Sequence, residues 1–248
     1  MEVVDENMVR QIHLIGKQDE IRVNQRDYVT QSARDYIREK NLSLVIDDDE
    51  NKFIRPSLEL AAGKYVSESG EREYDEKPEY MTHLYGNVLV MKNHPRIILR
   101  GKLDSFIASI MEMQIFAEKK KIIKLKNDIN EILLFAQQIL KCEVKNQPFE
   151  EKKLLNYSEE ELREISHNPE KYFGRGHIKI SPTHGEVEIK LNLLRTQARE
   201  LEIAAVTAFC SNEGQQCEGK DLLKALNRLS SAIYILMLRN SCKQYQSG

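Results

Sequence analysis

Apolar residues recur every three or four positions through most of the chain after residue 95, which is the spacing of an amphipathic helix. The first such stretch, "RGKLDSFIASIMEMQIFAEKKK", places its apolar residues largely on one broad face. The spacing continues in "IKLKNDINEILLFAQQILKCEV", at about 186–210 and in "GKDLLKALNRLSSAIYILMLRNS", and "SEEELREISH" predicts a short helix with Ser158 as its N-cap. Such helices cannot bury their apolar faces alone, so the pattern predicts a helical bundle.

The first 80 residues follow a different pattern. "EIRVN" and "LSLVI" have the character of short strands, and "TQSARDYIREKN" between them predicts a helix with Thr30 as N-cap and Asn41 as its C-terminal stop. The polar stretch "AAGKYVSESGEREYDEKPEY" predicts a linker. We therefore expect a mainly α protein: a five-helix bundle at 81–248, preceded by a small mixed α/β extension and polar linker at 1–80.

Composition narrows the classes of partner. The chain of 248 residues has 41% hydrophobic and 31% charged residues, which is typical of a globular protein. A net charge of -2 gives no basic field, so we expect no nucleic-acid partner. No apolar run reaches the ~18 residues that span a bilayer, so we expect no membrane partner and a cytoplasmic location. The dense basic run "EKKKIIKLK" is interpreted as a solvated helix end.

Cysteine and histidine spacing gives no metal motif. No CxxC pair occurs, and the histidines show no recognised ligand spacing, so we predict no metal site. Buried free thiols in a reducing compartment are the expected state of the cysteines. The cysteines are Cys142, Cys210, Cys217 and Cys242.

The segment "LNLLRTQARELE" at 191–202 carries a polar stripe beside its apolar one. Arg195, Arg199 and Glu202 recur at helical spacing and share one side of the helix. Paired guanidinium groups suit a polyphosphate, because each offers several donors in a fixed fork. The alternative is local: either arginine can pair with Glu202 inside the helix, and periodicity alone favours this second interpretation.

Polar residues on two other predicted helices change that balance. In the apolar "LLKALNRLSSAIYILM", Asn227, Ser231 and Tyr234 lie close together on one face, and a buried asparagine needs hydrogen-bond partners. Asp104 lies near the start of the first long helix, where capping alone can favour a carboxylate. Together with the arginine stripe, these residues could line one cleft of a bundle.

Several segments together resemble the corrinoid adenosyltransferases of the five-helix-bundle type. They are "HPRIILRGKLDSFIASI", "LNLLRTQARELE" and "LNRLSSAIYIL", in that order along the chain. "VTQSARDYI", "KPEYMTHLYGN" and "YFGRGHIKISPTHGEVEIKLNLLRTQARE" are similar to the ethanolamine-utilisation branch of that family. The resemblance covers most of the chain and is strongest from about 80 to 240.

The resemblance implies an activity and its substrates. Such enzymes transfer the 5′-deoxyadenosyl group of ATP to the cobalt of a reduced Co(I) corrinoid, and triphosphate leaves. ATP, Mg²⁺ or a similar divalent cation, and the corrinoid substrate are therefore expected. Family members are trimers with sites between subunits. A reductase or corrinoid-enzyme partner and association with a bacterial microcompartment are further expectations.

The resemblance also implies roles for individual residues. Arg199 and Arg195 match the arginines of the family motif, and Arg199 is the first candidate for the triphosphate. One of them is expected to pair with Asp104 of a neighbouring subunit. The remaining expected binding residues are Glu202, Asn227, Arg228 and Phe173, the last from the loop before the arginine helix.

Departures from the family pattern leave a second function open. The glycine-rich phosphate loop of the better-known branch has no match here, and Ile203 stands where that branch has a further arginine. The cysteine-rich motif of some ethanolamine-branch members is also missing. The alternative to an adenosyltransferase is therefore a non-catalytic helical scaffold that binds a nucleotide or a corrinoid.

Overall fold

A computed structural model describes residues 3–15, 19–24, 28–47, 65–150, 153–211 and 216–245. The chain divides into two compact units, Met1–Met91 and Lys92–Gly248. Within the described ranges, no helix combines the length and the apolar character needed to cross a membrane.

The first half of the N-terminal unit combines short strands with helices. Thr30 accepts a hydrogen bond from Ala33 N at 3.3 Å, so the predicted N-cap of helix α2 is confirmed. Tyr36 and Ile37 are buried on the inner face of α2 and join a small core with Val4, Val9 and Ile21. The elements here are β1 (Val3–Val4), α1 (Glu6–Arg10), a π-helical turn (Gln11–Ile15), β2 (Glu20–Asn24), β3 (Tyr28–Val29), α2 (Gln31–Glu39) and β4 (Ser43–Asp47). β1 pairs with β3 and β2 with β4, both in parallel.

The second half of this unit is a four-stranded sheet in the order β6-β5-β8-β7. Its strands are β5 (Tyr65–Ser67), β6 (Glu73–Tyr74), β7 (Met81–Tyr85) and β8 (Val88–Met91). β5 and β6 belong to the polar stretch that the sequence predicts as a linker. The pairing of β5 with both β6 and β8 uses backbone groups, which hydrophobic alternation does not reveal.

The C-terminal unit is the predicted bundle, which confirms a mainly α protein with a small α/β part. Ser158 forms the predicted cap of α5, with a full capping box to Glu161. The first long helix starts at Pro95, and His94 accepts from Arg96 N just before it. The helices are α3 (Pro95–Lys119), α4 (Ile123–Val144), α5 (Glu159–His167), α6 (Pro169–Phe173), α7 (Glu186–Phe209) and α8 (Lys220–Ser241), with a 3₁₀ turn at Pro182–His184.

One continuous core joins the long helices of the bundle. α7 contributes the stripe that the sequence predicts, Leu191, Leu194, Ala198, Leu201 and Ala205. α8 is buried on most of its circumference, as its apolar sequence indicates. α7 and α8 pack against each other along their length, so polar side chains between them are shielded from water.

A short hairpin joins the ends of α7 and α8 and corrects the prediction for two cysteines. Its strands are β9 (Cys210–Ser211) and β10 (Gln216–Cys217), and Cys217 lies opposite Cys210. The two Cα atoms are 4.1 Å apart and the thiols form a disulfide. Free thiols were therefore the wrong prediction for this pair, because the strand register that brings them together is not visible in their spacing. Cys142 and Cys242 are free, as predicted.

Candidate functional site

Two hydrogen bonds and one electrostatic interaction lie along the packed faces of α7 and α8, and we call this set the polar seam. Asn227 Nδ2 donates to Glu202 Oε1 at 2.6 Å at one end of the seam. Asn240 Nδ2 donates to Glu188 Oε2 at 2.7 Å at the other end. Arg195 and Tyr234 interact electrostatically between them. The two helices are thus antiparallel, with residue numbers that fall on α7 as they rise on α8.

The arginine pair of the seam carries positive charge that no carboxylate of the described residues offsets. Arg195 Nε and Nη2 donate to Asn192 Oδ1 at 3.3 and 3.1 Å, and an amide is a neutral acceptor. Burial, and next the charge of Arg199, lower the pKa of Arg195. Neither arginine forms an ion pair with any residue in the described ranges. The alternative of internal pairs with Glu202 is therefore wrong, because Glu202 is bonded across to Asn227.

Tyr234 ties the loop before α7 to this arginine pair. Its hydroxyl accepts a hydrogen bond from Ile178 N at 3.1 Å and lies 3.1 Å from His177 Nδ1. The Tyr234 and His177 rings are stacked with centroids 6.0 Å apart. Tyr234 also interacts electrostatically with Arg195, so a side chain that is hydrogen-bonded to the loop acts on the middle of the seam.

A cavity of about 1020 Å³ opens where the loop, the start of α7 and the end of α8 meet. Its wall mixes apolar side chains, such as Ile178 and Val187, with basic ones, such as Arg175 and Lys243. Glu188 lines the same cavity and is only 2% exposed. Burial raises the pKa of Glu188, against the smaller effects of its bond from Asn240 and of the nearby His184 and Arg175.

Asp104 lies apart from the arginine pair within one chain. Its side chain is exposed on α3. Another side of α3 faces α7: Lys102 forms an ion pair with Glu200 at 3.3 Å, and Ser109 accepts from Gln197 at 3.2 Å. A single subunit therefore does not bring Asp104 to Arg195 or Arg199.

Arg228 points away from the seam, toward α5. It is 8% exposed, and its charge acts on Glu160 of α5. One turn earlier on α8, Lys224 pairs with Glu159. Nε and Nη1 of Arg228 have no hydrogen-bond partner among the described residues. The structure thus unites Arg195, Arg199, Glu202 and Asn227 but places Arg228 on a neighbouring face.

Phe173 is the last residue of the short helix α6 rather than a loop residue. Its ring is half-buried against the bundle core, and its carbonyl accepts from Cys242 Sγ at 3.7 Å. Gly174 follows with a φ of 64°, which glycine adopts without strain and which ends the helix. Phe173 is therefore separated by Gly174 alone from the cavity-lining segment 175–179.

Sequence reasoning missed Asn192, Glu188 and Asn240. Glu188 lies in the first turn of α7, where an acidic residue ordinarily needs no explanation beyond the helix dipole. One available signal was a repeat of seven: positions 188, 195 and 202 on α7 are all polar within an apolar pattern. On α8, positions 227 and 234 continue the same spacing.

The C-terminal unit is thus a helical bundle with an arginine pair that has no carboxylate partner among the described residues, and with a large cavity at the start of α7. The chain belongs to the cobalamin adenosyltransferase family, whose profile matches residues 74–239. The chain is similar to the corrinoid adenosyltransferase EutT of Salmonella typhimurium, at 29% identity over 254 residues, 97% of this chain and 92% of that protein. EutT of Escherichia coli K12 is also 29% identical, with 93% of its length covered. The resemblance to the family and to its ethanolamine-utilisation branch is confirmed. No solved structure matches the chain.

Proposed function

We propose that the protein transfers the 5′-deoxyadenosyl group of ATP to the cobalt of a reduced Co(I) corrinoid and thereby supports ethanolamine catabolism. The products are adenosylcobalamin and triphosphate. The observation that carries this proposal is the arginine pair on α7, which has no carboxylate partner in the described part of a chain of the cobalamin adenosyltransferase family. Arg195 is partly buried beside the like charge of Arg199, which is exposed, so an anion that reaches both guanidinium groups would offset this charge.

Arg195 and Arg199 are the proposed triphosphate ligands. Cobalt donates an electron pair to the ribose 5′-carbon, the bond from that carbon to oxygen breaks, and triphosphate leaves with the bonding electrons. Charge-assisted hydrogen bonds from the two guanidinium groups offset the negative charge on the leaving group. Asn227 and Glu202 hold each other at 2.6 Å, and this contact fixes the end of the site nearest Arg199.

A divalent cation has two candidate ligands in this chain. Oxygen donors are what Mg²⁺ prefers, and carboxylates supply them beside phosphate groups. The candidate ligands are Glu202 and Asp104. Asn227 binds Oε1 of Glu202 and leaves Oε2 for the cation, and Asp104 is exposed. The cation would help to neutralise the triphosphate.

Exposed apolar residues support a homotrimer with shared sites. On α3, Asp104 lies at helical spacing from Ala108, Met111 and Ile115, and all of them are exposed. On α7, Leu193 is 56% and Ile203 68% exposed. A neighbouring subunit that covers these stripes would bring its Asp104 to an arginine of the seam. Ile203, which stands where the better-known branch has arginine, would then lie in the interface.

The cavity at the start of α7 is the proposed corrinoid site. The loop 175–179, which follows Phe173 and Gly174 in the chain, lines it, and Glu188 lies seven residues before Arg195. Seven residues of α-helix span about 10 Å, so the two substrates can meet along one face of α7.

A turnover assay separates this proposal from a non-catalytic scaffold. The protein is supplied with ATP, Mg²⁺ and chemically reduced cobalamin, and we expect loss of Co(I) absorbance with formation of adenosylcobalamin. Binding of ATP and cobalamin without product would establish the scaffold instead. Mass measurement in solution is expected to give a trimer, and an active monomer would contradict the shared site.

A further inference from the structure

One carboxyl oxygen of Glu188, a residue that lines the cavity, has no hydrogen-bond partner in the described part of the chain. Glu188 is 2% exposed, and its Oε2 accepts from Asn240 at 2.7 Å. Its Oε1 is buried without a hydrogen-bond partner among the described residues. Leaving a buried polar atom unpaired costs about 1–3 kcal/mol, so such atoms call for a specific explanation. A ligand group that completes the hydrogen bond provides one.

The surroundings of Glu188 restrict the chemistry of that group. Burial favours the neutral carboxyl group, which donates a hydrogen bond, whereas Arg175 and His184 favour the carboxylate, which accepts one. A primary carboxamide matches both states, because its carbonyl oxygen accepts and its NH₂ group donates. A phosphate or a carboxylate matches only the neutral state.

The position of Glu188 indicates which part of the ligand it contacts. Glu188 lies two helical turns from Arg195, about 10 Å along the axis, so it is remote from the proposed triphosphate site. A ligand that fills the cavity therefore meets Glu188 at its edge. Corrinoids carry amide side chains around the edge of the macrocycle, and the propionamides have the longer reach.

We propose that Glu188 is a specificity-determining residue that recognises a propionamide side chain of the corrinoid. Asn240 positions the carboxyl group from α8 and leaves Oε1 for the ligand. This inference rests on the proposed function, because that function supplies the identity of the ligand.

The test combines a change in the protein with a change in the ligand. Wild type and Glu188→Gln are each assayed with cobalamin and with its derivatives in which one free propionamide is hydrolysed to the acid. For the derivative altered at the recognised amide, the effects of the protein change and of the ligand change on KM are expected to be coupled. The KM of Glu188→Gln with this derivative is expected to differ about threefold or more from the value obtained by multiplying the two single effects. Independent effects for every derivative would overturn the proposal.

A second variant separates recognition from folding. Glu188→Leu removes both donor and acceptor, so KM for cobalamin is expected to rise about tenfold or more while KM for ATP is unchanged. The matched control is Glu150→Leu, an exposed residue that does not line the cavity, for which cobalamin KM stays within about twofold. No rise for Glu188→Leu, or an equal rise in both KM values, contradicts recognition by Glu188.

Failure of the proposed function has a different outcome. If the wild type forms no adenosylcobalamin, the proposed reaction is wrong, and equilibrium binding of cobalamin without ATP still compares wild type with the Glu188 variants. If the wild type turns over and the variants show neither coupling nor a selective loss of cobalamin binding, only the role of Glu188 is wrong.

Discussion

Two arginine pairs in the same bundle have the same spacing and opposite surroundings. On α3, Arg96 Nε donates to Glu143 Oε1 at 2.7 Å, and Arg100 binds the other oxygen of the same carboxylate. Glu143 is 1% exposed, so this cluster is an interior ion network between α3 and α4. On α7, Arg195 and Arg199 are also four residues apart, but among the described residues Arg195 has only the amide of Asn192 as an acceptor.

The difference shows that spacing alone does not separate a structural arginine pair from a binding one. The α3 pair is completed by the chain itself and therefore contributes to the fold. The α7 pair has no carboxylate partner among the described residues, and Arg199 is exposed, so its charge is accessible to an anion. Two buried carboxyl groups differ in the same way. Glu143 binds two cationic side chains, whereas Glu188 accepts one hydrogen bond, from an amide, among the described residues.

The largest expected effect comes from removing the shared carboxylate of the α3 cluster. Glu143→Leu leaves two largely buried guanidinium groups without their partner, which costs about 3–5 kcal/mol of unfolding free energy. Thermal or denaturant unfolding measures this loss. The control is Glu112→Leu, which removes a mostly exposed ion pair with Lys190 and is expected to cost less than about 1 kcal/mol. Equal losses for the two variants would contradict the comparison.

Arg199→Ala tests the arginine pair on α7. The substitution removes charge-assisted hydrogen bonds to the triphosphate, worth roughly 1.5–3 kcal/mol each, so kcat/KM for ATP is expected to fall about tenfold or more. The unfolding temperature is not expected to fall, because the substitution removes the repulsion between the like charges of Arg195 and Arg199, which lie four residues apart on α7. Arg163→Ala on the exposed side of α5 is the matched control. If Arg199→Ala uses ATP as well as the wild type does but is less stable, the α7 pair has a structural role, as the α3 pair has.

Tyr234→Phe has a smaller expected effect. It deletes the hydroxyl that accepts from Ile178 N and contacts His177, each bond being worth about 0.5–1.5 kcal/mol net. The loop beside the cavity loses its tie to the seam, so KM for cobalamin is expected to rise by about two- to tenfold. Tyr172→Phe, whose hydroxyl contacts Glu164 on the exposed surface, serves as the control. An unchanged cobalamin KM in Tyr234→Phe would show that the tie does not shape the cavity.

The smallest expected effect is a pH dependence of stability. Burial raises the pKa of Glu188 in the fold, so the stability that its neutral form contributes is present below the unfolded pKa, about 4.3, and is lost as pH rises through the folded value. Glu188→Gln cannot ionise, so its unfolding temperature relative to wild type is expected to increase with pH.

A carboxyl group with the opposite shift provides the control for that measurement. Hydrogen bonds from Lys171 and Tyr172 lower the pKa of Glu164, so its contribution is lost as pH falls. The unfolding temperature of Glu164→Gln relative to wild type is therefore expected to decrease with pH. Identical trends in the two variants would mean that Glu188 does not titrate as its burial indicates.

The sequence predicts the bundle well because its signals are local. Periodicity locates the long helices, and Thr30 and Ser158 locate two of the helix starts. The apolar surroundings of Asn227 correctly indicate a partner, which is Glu202. These inferences need only the geometry of one helix and the cost of an unpaired buried group.

The missed features depend on residues that are distant in the chain. The ion cluster of α3 joins positions 96 and 143, the strand β5 pairs with β8, and Asn240 meets Glu188 across two helices. The disulfide depends on a strand register. No local pattern encodes such pairings, so spacing could suggest that Arg195 and Arg199 bind an anion but could not exclude a carboxylate partner.

The antiparallel register of the seam also limits how this chain can change during evolution. Residue 202 of α7 is hydrogen-bonded to 227 of α8, and 188 to 240. Residue 195 interacts electrostatically with 234 between these two contacts. One inserted residue within α7 would turn everything beyond it by about 100° and move every later contact off the face. Substitutions can therefore accumulate in these helices, whereas changes of length have to fall in the connections before α7 and after it.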